Sequence, residues 1–174
     1  MLFRSIATLG CSPKEITWKV GVDVLCFGGA KNGLPIAEAV VFFDKQMAYE
    51  FDYRCKQAGQ LGSKMRFLAA PWVGLIETGA WLRNAQNANR CAKLLETELR
   101  GIPGIAVLST VDANSVFVQL PPQVAEHLRS VGWRFYTFIG EGGARFMCSW
   151  NTTDEHVHAL AADMRAAMKV AHVA

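Results

Sequence analysis

The chain has 174 residues, of which 51% are hydrophobic and 19% are charged. This length suits one globular domain, or a small domain with part of another, and the composition excludes a disordered chain. The formal net charge of +3 is mild and the Lys and Arg residues are scattered, so we expect neither nucleic acid nor a membrane surface as a partner.

Cysteine and histidine usage indicates a reduced, cytoplasmic chain without a metal site. The five cysteines are an odd number and show no CxxC spacing, which argues against a disulfide framework. His156 and His158 are two residues apart and would face different directions on a helix, so we expect no shared ion. No apolar run is long enough for a membrane span, and the first residues lack the apolar core of a signal peptide.

The chain begins with a predicted short helix and two predicted strands. Ser12 as N-cap and Glu15 three residues later form a capping box, and Pro13 takes the first helical position. Buried strands are predicted over residues 22–27 and 37–43, because both runs are apolar and rich in β-branched residues. A glycine-rich loop joins them.

Helices are predicted for the next part of the chain. Asp44 caps a helix that runs to about residue 57. Helical spacing continues over residues 60–100, and Pro71 is expected to break or kink it because proline lacks an amide donor. Beyond Pro71 the apolar residues share one helix face, which predicts a buried stripe: Trp81, Ala85, Ala88, Ala92, Leu95 and Leu99.

The last ninety residues predict a compact sheet with helices on one face. The closing helix is expected to begin at a second capping box, formed by Thr152 and Glu155. The elements before it are strands over 105–109 and 115–120, a helix over 122–131, and strands over 133–139 and 144–150.

Two domains are predicted. Residues 80–174 form a small carboxy-terminal α+β domain. The first forty-five residues and the helix after them supply two strands and two helices, too few to bury a parallel α/β sheet by themselves. We therefore interpret residues 1–79 as the end of a larger domain together with connecting helices.

Lys31 is the first candidate functional residue. It lies at the end of the first strand in the sequence GGAKNG, residues 28–33. An amine in this place can form a Schiff base with a carbonyl compound, and the flanking glycines would let a planar cofactor approach the backbone. Surroundings of low dielectric constant would favour the neutral, nucleophilic amine. The alternative for this motif is a solvated lysine in an Asn-Gly turn.

The lysine turn is one of four segments that are informative together: GVDVLCFGGAKNG, EAVVFFD, EFDYRCKQAGQLGSKMRFLAAPWVG and GGARFMCSWNTTDEHV. They resemble the pyridoxal-phosphate enzymes of the threonine aldolase (aromatic amino acid β-eliminating lyase) family, in particular its low-specificity L-threonine aldolases. The resemblance extends over nearly all of residues 7–170. It implies an α/β chain of fold type I, in which the end of the large cofactor-binding domain is followed by the small domain.

The resemblance also implies roles for single residues. Lys31 stands where the family has the lysine that binds pyridoxal 5′-phosphate and then releases it to the substrate amine. Arg66 matches an arginine that adds positive charge near the cofactor phosphate. Arg145 matches the arginine that grips the substrate carboxylate, although the residues alone favour a solvated strand arginine. Lys56 and Lys64 are lesser candidates, for which a solvated helix lysine is the favoured interpretation.

By this resemblance the activity is cleavage of a β-hydroxy-α-amino acid such as threonine to glycine and an aldehyde, in a homo-oligomer. In the family, an upstream segment carries the residues that cradle the phosphate and contact the ring, and residues 1–5 match nothing in it. We therefore expect weak cofactor binding and little turnover by the 174-residue chain. The alternatives are a non-catalytic fragment or partner subunit of a full-length aldolase, and another pyridoxal-phosphate lyase of fold type I.

Overall fold

The computed structural model describes residues 2–140 and 142–171. The chain divides into two units, residues 1–85 and 86–174. The longest helix of the described residues, α4 (Ala80–Arg100), begins in the first unit and ends in the second. None of the described helices is long and apolar enough to cross a membrane.

The first unit combines helices with one β-hairpin. Strands β1 and β2 pair antiparallel, with Val24 opposite Phe42 and Gly28 opposite Glu38. An antiparallel pair needs only a short connection, and the glycine-rich loop supplies it. The elements before α4 are α1 (Leu2–Leu9), β1 (Val24–Gly28), β2 (Glu38–Phe42), α2 (Phe51–Gln57) and α3 (Arg66–Glu77).

Aromatic rings form the core of the first unit. The Phe3 ring of α1 lies 4.3 Å from the Phe27 ring of β1, and Phe27 lies 5.2 Å from the Trp72 ring of α3 (centroid distances). Leu34 and Leu75 are buried in the same cluster. Helix α1, which the sequence analysis did not predict, therefore supplies part of this core through its apolar face.

Strand β1 is less buried than predicted. Every residue of β1 and β2 is at least partly exposed, and Val24, Cys26 and Val40 are exposed. Among the described strands, β1 pairs with β2 alone. A two-stranded sheet covers little of its own surface, so the apolar run of β1 stays partly exposed.

Two predicted helix boundaries in the first unit are corrected. Helix α3 continues through Pro71, so the break expected there is wrong, whereas a kink stays a prediction. Burial of Trp72 and Leu75 stabilises the helix beyond the proline. The helical run ends instead at Gly79, whose φ is +69°. The helix predicted from Asp44 is divided at Glu50, which has a left-handed φ of 62°, although Asp44 does accept a hydrogen bond from the Gln46 amide (2.8 Å).

The predicted amino-terminal capping box is confirmed in a smaller element. The Ser12 amide donates to Glu15 Oε2 at 2.7 Å, and both halves of the box are present. The residues it starts, Pro13–Ile16, form a single 3-10 turn. A second such turn follows and ends at Gly21, which has a φ of 89°, so the predicted helix is two tight turns.

The second unit has the predicted order of helices and strands. Its four strands form an antiparallel sheet in the order β3-β4-β6-β5. The strands are shorter than predicted. The elements after α4 are β3 (Ala106–Val107), β4 (Ser115–Gln119), α5 (Pro122–Ser130), β5 (Tyr136–Ile139), β6 (Gly143–Met147) and α6 (Asp154–Ala171).

One face of this sheet is covered by helices. Val116 and Val118 of β4 are buried, as are Ala144 and Phe146 of β6. They share a core with residues of α4, α5 and α6, among them Leu99, Leu128 and Met164. The predicted stripe of α4 is confirmed from Ala85 to Leu99, whereas Trp81 is half-buried.

The capping box of α6 is shifted by one residue from its predicted place. The His156 amide donates to Thr153 Oγ1 (3.4 Å), and the Thr153 amide donates to His156 Nδ1 (3.3 Å). Thr152 is not the cap, because its hydroxyl accepts from the Ser149 amide at 2.8 Å. His156 therefore caps a helix.

Candidate functional site

Lys31 lies on a 3-10 turn, Ala30–Asn32, that directly follows β1. The turn closes because the amides of Asn32 and Leu34 both donate to the Gly29 carbonyl, at 2.9 and 3.2 Å. Gly33 leaves the turn with a φ of 109°, a conformation that favours glycine. The Lys31 side chain is exposed, whereas the next side chain, Asn32, is only 2% exposed.

Gly29, two residues before Lys31, is required by the packing of the chain itself, whereas a Cβ on Gly28 would meet only the exposed Glu38 side chain. A Cβ on Gly29 would lie 2.5 Å from Leu34 Cδ1 and 2.7 Å from Trp72 Cζ2. A Cβ on Gly28 would lie 2.5 Å from Glu38 Oε2. Gly29 is therefore fixed by side chains of the first unit, and the approach of a planar cofactor to this loop stays a prediction.

Three hydrogen bonds tie the Lys31 turn to helices α1 and α4. Arg4 Nη2 donates to the Lys31 carbonyl (2.9 Å). Asn32 Nδ2 donates to the Trp81 carbonyl (2.7 Å), and Asn84 Nδ2 donates to the Asn32 carbonyl (2.8 Å). Sequence reasoning missed Arg4 and Asn84, because these contacts span 27 and 52 residues of chain and leave no local pattern.

The surroundings of Lys31 differ from the expected site of low dielectric constant. Its side chain extends from the turn into solvent. The buried members of the turn are Gly29, Asn32 and Leu34, so burial fixes the backbone while the amine stays accessible. An accessible primary amine on a fixed turn fits an aldehyde ligand such as pyridoxal phosphate, since the amine is the group that reacts with it.

Arg66 is the first residue of α3 and is exposed. Its guanidinium lies 4.9 Å from the centre of the neighbouring Phe67 ring. Lys56, near the end of α2, and Lys64, whose φ is 60°, are also exposed. All three cations are accessible to an anion, and the guanidinium is the one that can bind a phosphate in a bidentate manner.

Arg145 belongs to the second unit, on the sheet face that the helices leave open. Its neighbours along β6, Ala144 and Phe146, point into the core, so Arg145 points away from it. Arg145 is paired with Phe117 of β4 and Tyr136 of β5. Its guanidinium lies 5.5 Å from the centre of the Tyr136 ring, and this ring limits the directions that the half-buried side chain can take.

The fold and the sequence can now be compared with known proteins. The structure is of the mixed α/β class, and it superposes on a solved structure of threonine aldolase from Leishmania major with a TM-score of 0.74. This match covers 83% of the present chain and 43% of the other at 21% identity, so it shows the fold alone. A family model described as beta-eliminating lyase matches residues 2–122. The chain belongs to the beta-eliminating lyase family.

Two curated relatives are much more similar in sequence. Both are named low specificity L-threonine aldolase, one from Pseudomonas sp. (strain NCIMB 10558) and one from Pseudomonas aeruginosa. Each is 62% identical over 165 residues, which are 95% of this chain and 48% of the relative. The chain thus spans about half the length of the curated relatives it matches.

The family match corrects the interpretation of the first residues. Residues 1–5 were expected to match nothing in the family, but the matched region begins at residue 2. It therefore includes all of helix α1, with Phe3 in the core and Arg4 on the Lys31 carbonyl. A helix of eight residues is short for recognition from sequence alone, and its contacts lie far along the chain.

Proposed function

We propose that this chain is the part of a threonine aldolase that carries the cofactor lysine and the substrate arginine. The observation that supports this most directly is the Lys31 turn, which exposes one amine on a backbone held by Arg4 and Asn84. The names of the two curated relatives support the same reaction. The reaction is the cleavage of a β-hydroxy-α-amino acid, such as threonine, to glycine and an aldehyde.

Each site residue has one proposed task. The Lys31 amine would hold the aldehyde carbon of pyridoxal 5′-phosphate, and Arg66 would pair with the phosphate. The Arg145 guanidinium would hold the substrate carboxylate in a bidentate manner, packed beside Tyr136. The bound cofactor supplies an electron sink for the bond that breaks. The protein residues contribute binding and orientation.

Trapping with borohydride tests the role of Lys31. The chain is incubated with pyridoxal 5′-phosphate, reduced, digested and mapped by mass spectrometry. We expect the label at Lys31. Lys31→Arg should lose this label, whereas the exposed Lys19 should carry the same low level of non-specific label in both proteins. A label concentrated at Lys56 or Lys64 would contradict the assignment.

Turnover of the 174-residue chain is a separate question. We expect slow release of aldehyde from threonine and weak cofactor binding, because the chain spans about half the length of its relatives. The second candidate function, a non-catalytic partner of a full-length aldolase, is supported by the exposed apolar strand β1. Two measurements distinguish them: a non-catalytic partner co-elutes with a full-length relative and releases no aldehyde from threonine by itself, whereas a catalytic chain releases aldehyde by itself.

Domain division, assembly and location are also proposals. We propose that residues 1–79 belong to the large cofactor-binding domain and residues 80–174 to the small one. We propose a homo-oligomer in the cytoplasm, acting on a small amino acid substrate. The support for a reducing compartment is that all five cysteines lie among the described residues and are free. Light scattering of the purified chain would measure the assembly.

A further inference from the structure

We propose that Arg4 and Asn84 are positioning residues for Lys31, an inference that rests on the proposed cofactor role of Lys31. Both side chains donate to backbone carbonyls of the Lys31 turn and leave the amine itself untouched. They hold the turn against two separate helices, α1 and the first turns of α4. Together they would fix the backbone position from which the Lys31 side chain reaches an aldehyde.

The contact with α4 is reciprocal. Asn32 Nδ2 donates to the Trp81 carbonyl, and Asn84 Nδ2 donates to the Asn32 carbonyl. Trp81 and Asn84 are three residues apart, so they lie on one face of the helix. Asn32 is 2% exposed. Loss of the hydrogen-bond partner of a buried amide destabilises a protein more than the same loss at an exposed amide. The turn is therefore held at its buried residue.

The contact with α1 holds the adjacent residue. Arg4 Nη2 donates to the carbonyl of Lys31 itself (2.9 Å). The helix that carries Arg4 is anchored by Phe3, which is 5% exposed and lies against the Phe27 ring of β1. The carbonyls of Lys31 and Asn32 thus accept from donors on different elements. With both carbonyls held, the remaining freedom of Lys31 is rotation of its side chain.

Hydrogen–deuterium exchange of the intact chain measures this anchoring directly. The reporters are the Asn32 and Leu34 amides, which close the turn on the Gly29 carbonyl. Asn84→Asp keeps the side-chain shape but replaces the donor with an acceptor, and Arg4→Met removes the other donor. We expect either variant to speed exchange of these two amides about three- to tenfold, as for the loss of one hydrogen bond.

Two controls separate positioning from general stability. Asn87 is on the same helix but in the second unit, where its Nδ2 donates to the Trp150 and Thr152 carbonyls (3.1 and 2.9 Å). Asn87→Ala should leave the exchange of the Asn32 and Leu34 amides unchanged. Arg4→Lys keeps a donor at this position and should recover part of the protection that Arg4→Met loses. Unchanged exchange of helix α3, which lies in the first unit as the turn does, confirms that the first unit of each variant is folded.

A chemical readout connects the anchoring to Lys31. Borohydride trapping with pyridoxal 5′-phosphate should label Lys31 about three- to tenfold less, relative to Lys19, in Asn84→Asp and Arg4→Met. Folded variants with wild-type exchange at Asn32 and Leu34, or an equal effect of Asn87→Ala, would overturn the inference. If wild-type Lys31 takes no label, the proposed cofactor role fails, while the exchange data still decide whether Arg4 and Asn84 hold the turn.

Discussion

The sheet of the second unit has one face closed by three helices, whereas the hairpin of the first unit keeps every strand residue at least partly exposed. In the second unit β4 alternates, with Val116 and Val118 buried between half-buried neighbours. In the first unit β1 is apolar on both faces, a pattern typical of strands that are covered on both sides. The comparison shows that alternation of residue type along a strand predicts its burial well when helices of the same unit cover the sheet.

The two units also differ in how they hold their candidate residues in place. In the first unit the packing of Gly29, Leu34 and Trp72 fixes a backbone turn and leaves the Lys31 amine exposed. In the second unit Arg145 lies on a regular strand, where the register with Tyr136 sets its direction. The first unit thus holds its candidate residue, Lys31, by side chains distant in sequence, and the second unit holds Arg145 by strand pairing.

Truncation of a buried leucine should give the largest contrast between the units. Leu99 of α4 is fully buried in the core of the second unit, whereas Leu61 of the first unit is 54% exposed. Leu99→Ala should lower the free energy of unfolding by about 2–5 kcal/mol, and Leu61→Ala by about 0.5 kcal/mol or less. Urea unfolding measures both. Similar losses would show that the second core is not the main source of stability.

Thiol labelling compares the two units without mutation. Cys26 of β1 is exposed, whereas Cys91 and Cys148 are buried. Burial raises the pKa of the Cys91 thiol, and it raises that of Cys148 to about 12. In the native chain Cys26 should react with a maleimide at least about a hundredfold faster than Cys148. All five cysteines should react after denaturation, and equal native rates would mean that the second core opens readily.

Two glycine substitutions should change stability in opposite directions. An added Cβ at Gly29 meets Leu34 and Trp72, whereas Gly74 of α3 has nothing within 4 Å of that position. Gly29→Ala should destabilise the chain by about 1–3 kcal/mol through overpacking. Gly74→Ala should stabilise it by about 0.5–1 kcal/mol, because alanine favours the helix. Thermal unfolding measures both changes. A Gly29→Ala variant that is as stable as the unmodified chain would mean that Leu34 and Trp72 move to make room for the added Cβ.

The smallest effect is expected from an ion pair of the second unit. The Arg165 guanidinium on α6 donates to Glu98 on α4 and lowers the pKa of that carboxyl, with His158 adding to the effect. A lowered pKa in the folded state stabilises the protein above the ordinary pKa of glutamate, and this contribution is lost as the pH falls through the folded value. Glu98→Gln should therefore cost about 0.5 kcal/mol near pH 7.

The pH dependence distinguishes this ion pair from a general effect of the substitution. The difference between Glu98→Gln and the unmodified chain should shrink as the pH falls through the lowered pKa of Glu98 and disappear below it, where the carboxyl is protonated in both states. Glu126 on α5 is exposed, and Glu126→Gln serves as the matched control with little change at either pH. A difference that persists at the lower pH would assign the loss to packing.

Much of the second unit was predictable from sequence, because its signals are local. The alternation in β4, the apolar stripe of α4 and the prolines that open α5 act within a few residues, and the element order followed from them. The errors concern boundaries such as the cap of α6, where Thr152 and Thr153 compete and the Ser149 amide decides between them. A choice between adjacent hydroxyl groups depends on where the preceding loop lies.

The sequence by itself determined that Lys31 follows a strand within a glycine-rich turn, since the apolar run, the glycines and the Asn-Gly pair are all local signals. Only the tertiary structure decided that α1 belongs to the core, that Gly29 is required by Leu34 and Trp72, and that Arg4 and Asn84 hold the Lys31 turn. The physical reason is distance along the chain. The contacts of Phe3 with Phe27, of Gly29 with Trp72, and of Arg4 and Asn84 with the turn join residues 24 to 52 positions apart. They depend on how the helices pack, and no periodicity of the sequence records them.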